Sequence, residues 1–294
     1  MSDDSLIFFT HQPDSSDAAL IYGLDGWTDI GLAASTAISF LRESLGTELI
    51  GVFDSDALID YRARRPVFTI ENGVSESLDW PDIEIHFGQL PGGRDVLLIA
   101  GPEPDARWRE FTREIVGLAR RFDVTDAIGV GSFPAPVPHT RPVSLVATSN
   151  KADVSAAVGV TPGRIQVPGG AQAAIELALA AAGFRAISLW ARIPHYLSGM
   201  TWPAGALALI EGIEGVAGVD LDTLKLATSA GEAKDRINEL VQSSDETREY
   251  VARLESAEAE AEADQITFAS VTGDEIAKEL EQFLARHDDG DDGN

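Results

Sequence analysis

The sequence predicts a three-layer α/β/α domain around a largely parallel central sheet, with a small helical lobe toward the C-terminus. Three observations predict it. Over the first 225 residues, short β-branched runs alternate with longer helical patterns, the order expected of a sheet covered on both faces. One run, Asp95–Ala100 (DVLLIA), is apolar almost throughout, as a strand buried on both sides must be. From residue 231 onward the chain changes character. There, 19 Asp and Glu face 6 Lys and Arg, so about half of the net charge of −26 sits in about a fifth of the 294 residues.

The expected strands are Ala18–Leu24, Glu48–Phe53, Val67–Ile70, Ile83–Phe87, Asp95–Ala100, Asp126–Gly131, Val143–Thr148 and Ala186–Ile193. The expected helices are Ile30–Leu45, Asp105–Phe122, Ala171–Ala182 and Ala204–Val216. IEIHF alternates, which predicts a peripheral or antiparallel strand with Glu84 and His86 on its solvated face. The stretch from Val67 to Phe87 reads as a hairpin-like excursion. Trp108 and Trp190 read as core residues. Three domains follow: a core over residues 1–225, an acidic helical lobe over 226–287, and a disordered tail over 288–294. In the lobe, Glu232–Gln242 and Asp245–Ala263 read as helices, the second capped by Ser244 or Asp245. Ile237, Leu240 and Val241 form one apolar stripe, and Tyr250, Val251 and Leu254 another, so the two helices can pair as a hairpin. Asp274–His287 is a third amphipathic helix, with Ile276, Leu280, Phe283 and Leu284 on one face.

Composition narrows function. Without cysteine there is no disulfide, thiolate metal site or cysteine nucleophile. The acidic balance argues against nucleic acid and anionic membrane surfaces as partners, because both are held through Lys and Arg. The acidic start MSDDSLIFF is unlike a secretory signal, and no apolar run approaches the roughly 20 residues that span a bilayer. A cytoplasmic location is expected.

In open parallel sheets, ligands bind beyond the carboxyl ends of the strands. Four expected strands end in loops that would share that edge: Asp25–Gly31, Gly101–Trp108, Ser132–Pro142 and Pro194–Tyr196. Together they would gather Asp25, Asp29, Glu103, Arg107, His139, Arg141, His195 and Tyr196. Gly26, Trp27 and Asp29 sit at a strand–glycine–helix junction of the kind that can hold phosphate on backbone N–H groups. The two flanking aspartates would repel a phosphate, so Asp29 reads as a helix cap and Trp27 as a packing residue. His139 and Arg141 are the polar tips of a loop stiffened by four prolines between Phe133 and Pro142, which suits a preorganised site or a subunit contact. His139 and His195, with Asp25 and Glu103, are the catalytic candidates for general acid–base work. Gly26, Trp27, Asp29, Arg107, Arg141 and Tyr196 are the ligand-binding candidates. Ser132 is not in a nucleophile elbow. No metal-ligand spacing, lysine-bearing phosphate loop or metal–carboxylate constellation stands out, so neither metal nor cofactor is expected.

At these loops the chain resembles the bacterial branch of the proteasome assembly chaperone 2 family. The resemblance rests on GWTDIG (Gly26–Gly31), Arg65-Pro66, Trp80-Pro81, GPEPDARW (Gly101–Trp108), PHTRP (Pro138–Pro142), PGG (Pro168–Gly170) and SLWARIPHY (Ser188–Tyr196). It runs from about Ala18 to Leu254. It implies a fold like that of nucleoside phosphorylases and peptidyl-type hydrolases with a helical C-terminal lobe, and self-association, with a trimer the expected form. It supplies no activity. Archaeal relatives engage proteasomes through a C-terminal hydrophobic–Tyr–any-residue tail, from which Asp291-Asp292-Gly293-Asn294 departs.

Two functions follow as expectations. The first is a non-catalytic, chaperone-like binding or assembly protein that self-associates and meets a protein partner through its helical lobe. The alternative is a small-molecule enzyme of hydrolase or phosphorylase type using the polar strand-end cluster.

Overall fold

The computed structural model describes residues 5–160 and 163–270. Among the described residues, ten strands and eight α-helices follow one another. They are β1 (Ile7–Phe9), β2 (Ala19–Asp25), α1 (Ala33–Ser44), β3 (Glu48–Phe53), α2 (Ser55–Leu58), β4 (Val67–Glu71), β5 (Val74–Asp79), β6 (Glu84–Gln89), β7 (Asp95–Pro102) and α3 (Trp108–Arg121). After these come β8 (Asp126–Ala135), β9 (Leu145–Ser149), α4 (Ala152–Val158), α5 (Ala171–Ala181), β10 (Arg185–Pro194), α6 (Pro203–Ala217), α7 (Leu224–Gln242) and α8 (Asp245–Ser270). The chain divides into two compact units, one up to Leu240 and one from Val241.

Eight strands form one sheet in the order β1-β3-β6-β7-β2-β8-β10-β9. Its centre, β7-β2-β8-β10, is parallel throughout. Antiparallel strands flank it on both sides. Alternation along β2 separates the two faces. Leu20, Tyr22 and Leu24 pack with Phe111 and Ile115 of α3 and Ile175 and Leu179 of α5. Gly23 points the other way, against Ile38 of α1. Helices α1 and α6 pack together on that second face. The three-layer α/β/α architecture is therefore present, with a core on each side of the parallel strands.

The parallel strands are tied together where they begin. Asp126 opens β8, and its carboxylate accepts from Arg94 at 2.8 Å, just before β7, and from Arg185 at 2.7 Å, the first residue of β10. Arg94 also reaches the carbonyl of Asp17, before β2.

Several expectations are corrected. β6 is antiparallel, one of the two forms expected, and lies inside the sheet, third from its edge. Its alternating pattern does not mark a solvated face: His86 is buried and pairs through Nε2 with Glu84 at 2.9 Å, and Arg42 of α1 reaches the same carboxylate at 3.0 Å. That bond to His86, with Arg42 nearby, holds the Glu84 carboxyl below its ordinary range despite partial burial. The excursion after Val67 closes on itself: β4 pairs with β5, turning at Asn72-Gly73, both with positive φ. This is the backbone that Asn-Gly favours in tight hairpins. Trp108 and Trp190 are half-buried rather than core. Helix α7 starts eight residues before Glu232, and its buried residues are Leu226, Ala230, Ala233, Ile237 and Val241; of the expected stripe, Leu240 is exposed.

In the second unit, Ser244 Oγ accepts from the Thr247 N–H at 3.4 Å at the start of α8, and Val251 and Leu254 are buried. The Arg253 guanidinium lies over the Tyr250 ring. The expected Asp274–His287 helix and the 288–294 tail lie outside the described residues. Among the described residues, no helix is long and apolar enough to cross a membrane.

Asp126→Ala leaves two arginines without their shared carboxylate at the start of three parallel strands. It should lower unfolding free energy by about 2 kcal/mol, measured by urea denaturation.

Candidate functional site

Because β7, β2, β8 and β10 are parallel neighbours, the four loops expected to share one edge do share it. Helices α1, α3, α5 and α6 follow these strands or their connections, so helix N-termini, with their unpaired N–H groups and positive dipole ends, lie near this edge.

Two of these termini are occupied by the chain's own carboxylates. Asp29 is buried, and it accepts from the N–H of Ala34 at 2.6 Å and of Ser35 at 3.3 Å, in the first turn of α1. Its loop is stitched to β8: Ser132 N–H donates to the Thr28 carbonyl, and the fully buried Ser132 hydroxyl donates to the Ile30 carbonyl, both at 2.8 Å. Ser132 is a structural hydroxyl at this point. Glu103 is likewise buried and accepts from the Ala171 N–H at 2.5 Å, at the start of α5. Its own N–H donates to the Asp25 carbonyl at 2.7 Å, and its carbonyl accepts from Arg64. Glu103 thus fastens three loops to one another, with Gly26 and Gly170 against its side chain. Arg64 also lies 3.8 Å from Asp105.

The third cluster is aromatic. His139 is buried, contrary to its expected place at a loop tip. Its backbone N–H donates to the Tyr196 hydroxyl at 2.7 Å, and its Nδ1 lies 2.8 Å from the same oxygen. Nε2 lies 3.1 Å from Asn238 Oδ1. This pattern assigns the ring proton to Nε2, with Tyr196 donating to Nδ1. Trp202, also buried, meets His139 edge to face. Lys234 of α7 donates to the Thr140 carbonyl at 2.9 Å. The proline-rich loop is therefore held down by α7 through two side chains. His195 is half-buried, its Nδ1 3.1 Å from the Ala135 carbonyl, and its ring meets Tyr196 edge to face.

Other candidates face solvent. Asp25 and Arg141 are exposed, and so is Trp27, which at 66% exposure is not the packing residue expected. Arg107 is exposed, pairs with Glu110, and has the left-handed backbone of φ 53°. Arg64, Gly170, Lys234 and Asn238 belong to the site but were not among the expected residues. The Arg65-Pro66 and PGG blocks mark two of these neighbourhoods; nothing local marks Asn238.

The fold and the site define an α/β protein whose strand-end loops are locked to its helices by its own buried acids. The chain belongs to the PAC2 family, whose profile matches residues 23–241. Among solved structures it is similar to a Mycobacterium tuberculosis protein of unknown function, Rv2714, at 32% identity over 92% of this chain and 94% of that one, with a TM-score of 0.86. It is also similar to the M. tuberculosis proteasome-assembly chaperone homologue Rv2125, at 32% identity over 79% of this chain and 99% of that one, TM-score 0.74. PbaB of Pyrococcus furiosus, an archaeal proteasome activator, shares the fold at 17% identity over 80% of this chain and 97% of its own, TM-score 0.64. No curated protein matches the sequence.

Burial pushes the Asp29 carboxyl above its ordinary value; the bonds from Ser35 and Ala34 oppose the rise, and Asp25 adds to it. A raised folded pKa means that the folded state binds the proton more tightly. That contribution to stability is complete below the unfolded value of about 3.8 and is lost as pH rises through the folded one. Asp29→Asn should remove this dependence. The unfolding free energy of the unaltered protein relative to Asp29→Asn should decline as pH rises from about 4, read by urea denaturation across pH. A difference independent of pH would contradict the burial argument. Glu103→Ala should cost about 1 kcal/mol through the lost α5 cap and speed amide exchange at Ala171, measured by hydrogen–deuterium exchange.

Proposed function

We propose that the protein is a cytoplasmic, non-catalytic binding or assembly protein, chaperone-like and self-associating. The observation that carries the reading is the engagement of the strand-end groups in holding the fold. Asp29 and Glu103 cap helices, and His139 is buried between Tyr196 and Asn238. A general acid or base must reach a substrate proton; these three groups are instead turned toward the protein's own backbone and side chains. The description of one relative as a proteasome-assembly chaperone homologue supports the chaperone-like part.

Self-association is supported by the β4–β5 ribbon. Every residue of both strands is exposed; Phe68 and Leu78 are cross-strand partners on one face, and Val67, Ile70 and Val74 are further exposed apolar residues of the ribbon. An isolated two-stranded hairpin is marginal in water, and an apolar one invites a cover. A second copy of the chain is the partner we assign to it. Light scattering of the full chain should give a multiple of the monomer mass, with a trimer our expectation. Phe68→Ser combined with Leu78→Ser should lower that mass while leaving the far-ultraviolet circular dichroism unchanged. A monomeric unaltered chain would sink self-association. For the assembly role, the full chain and a chain ending at Leu240 should differ in the proteins they retain from native extract. Recovery of the protein alone by both would count against it.

A further inference from the structure

Where α5 crosses the middle of β2, β8 and β10, the core turns from apolar to polar. Tyr22 on β2 and Ser188 on β10 are fully buried; Gln172 and Glu176, one turn apart on α5, are buried on the helix that covers these strands. β8 presents only glycine here. A methyl at Gly129 would lie 2.7 Å from the Tyr22 ring and 2.9 Å from Ser188 Oγ, and one at Gly131 would lie 2.6 Å from Gln172 Oε1. The bare strand is what lets these side chains crowd onto the sheet. Thr148 donates to Glu176 at 2.6 Å, and Trp190 Nε1 donates to Thr148 at 3.1 Å, closing the outer side.

The inner atoms are different. The Tyr22 hydroxyl, the Ser188 hydroxyl and both polar atoms of the Gln172 amide have no protein hydrogen-bond partner of normal geometry among the described residues. They make up four of the eight such buried atoms there. Ser188 stands near enough to Tyr22 to oppose the rise that burial imposes on its phenol, and the Glu176 carboxylate adds to that rise. Buried polar groups are too costly to leave dry, and four in one seam call for a shared ligand.

We infer that the seam is an internal water site, in which one or two molecules join Tyr22, Ser188, Gln172 and Glu176. Water has the matching chemistry. It needs two to four polar partners, and the seam offers hydroxyls that donate and accept, an amide that does both, and an accepting carboxylate. An anion would meet Glu176, and an apolar molecule would leave every group unpaired. The site begins one residue along α5 from Ala171, whose N–H binds Glu103. Water here ties the helix to the sheet next to the fastening point of the strand-end loops.

A high-resolution crystal structure of the full chain should show solvent density within hydrogen-bond distance of at least three of the four side chains. A dry seam, with Tyr22 bonded directly to Ser188 and Gln172 to Glu176, would overturn the inference. In solution, Tyr22→Phe and Gln172→Met form a double-mutant cycle. If one water serves both, the double variant's unfolding equilibrium constant should differ from the product of the single effects by roughly fivefold or more. Agreement with that product within about twofold would refute a shared water. Ser188→Ala replaces Tyr22→Phe in the cycle if the latter does not fold.

Discussion

The structure depends on how its helix N-termini are neutralised at one edge of the parallel sheet. A parallel sheet covered by helices tends to bring positive helix ends and unpaired N–H groups to the carboxyl ends of the strands. Many folds leave that concentration of donors open to phosphates and carboxylates of a ligand. Here Asp29 fills the α1 terminus and Glu103 the α5 terminus, each buried and each bound to backbone N–H groups. The same two residues stitch the loops: the Asp29 segment to β8 through Ser132, and the Glu103 segment to Asp25 and Arg64. A phosphate-binding reading of the Gly26–Gly31 loop meets a carboxylate already in place, on a chain of net charge −26.

The parallel core was legible because its signals are local. Continuous apolar runs such as DVLLIA and regular helix patterns each act over fewer than about a dozen residues, within the reach of periodicity. The shared edge of the four loops then followed from strand direction. The β4–β5 pairing was also encoded locally, in Asn72-Gly73, but the wider excursion obscured that turn. His86 was misplaced for a different reason. Alternation assigns one face to solvent, yet His86 is buried with its Nε2 on Glu84, whose carboxylate is also reached by Arg42 of α1. His139 shows the limit of the method. A proline-rich loop reads as surface, and the side chain that accepts from its ring is Asn238, 99 residues away on a helix whose pattern says nothing of loops.

The residues that define the strand-end edge thus divide by role. Asp29, Glu103, Ser132 and His139 hold elements together, while Asp25, Trp27, Arg107 and Arg141 face outward. That division is the ground of the binding role proposed above. The edge's inner parts are rigidly fastened, and its outer parts include a large exposed indole and two arginines on an acidic protein. Exposed aromatic and arginine side chains are the residue types enriched where proteins meet. Rigid loops lose little conformational entropy on docking, and the prolines from Pro134 to Pro142, held from beneath by Lys234 and Asn238, make this edge rigid. The interactions that close the edge to an anionic ligand are therefore the same ones that hold its loops rigid.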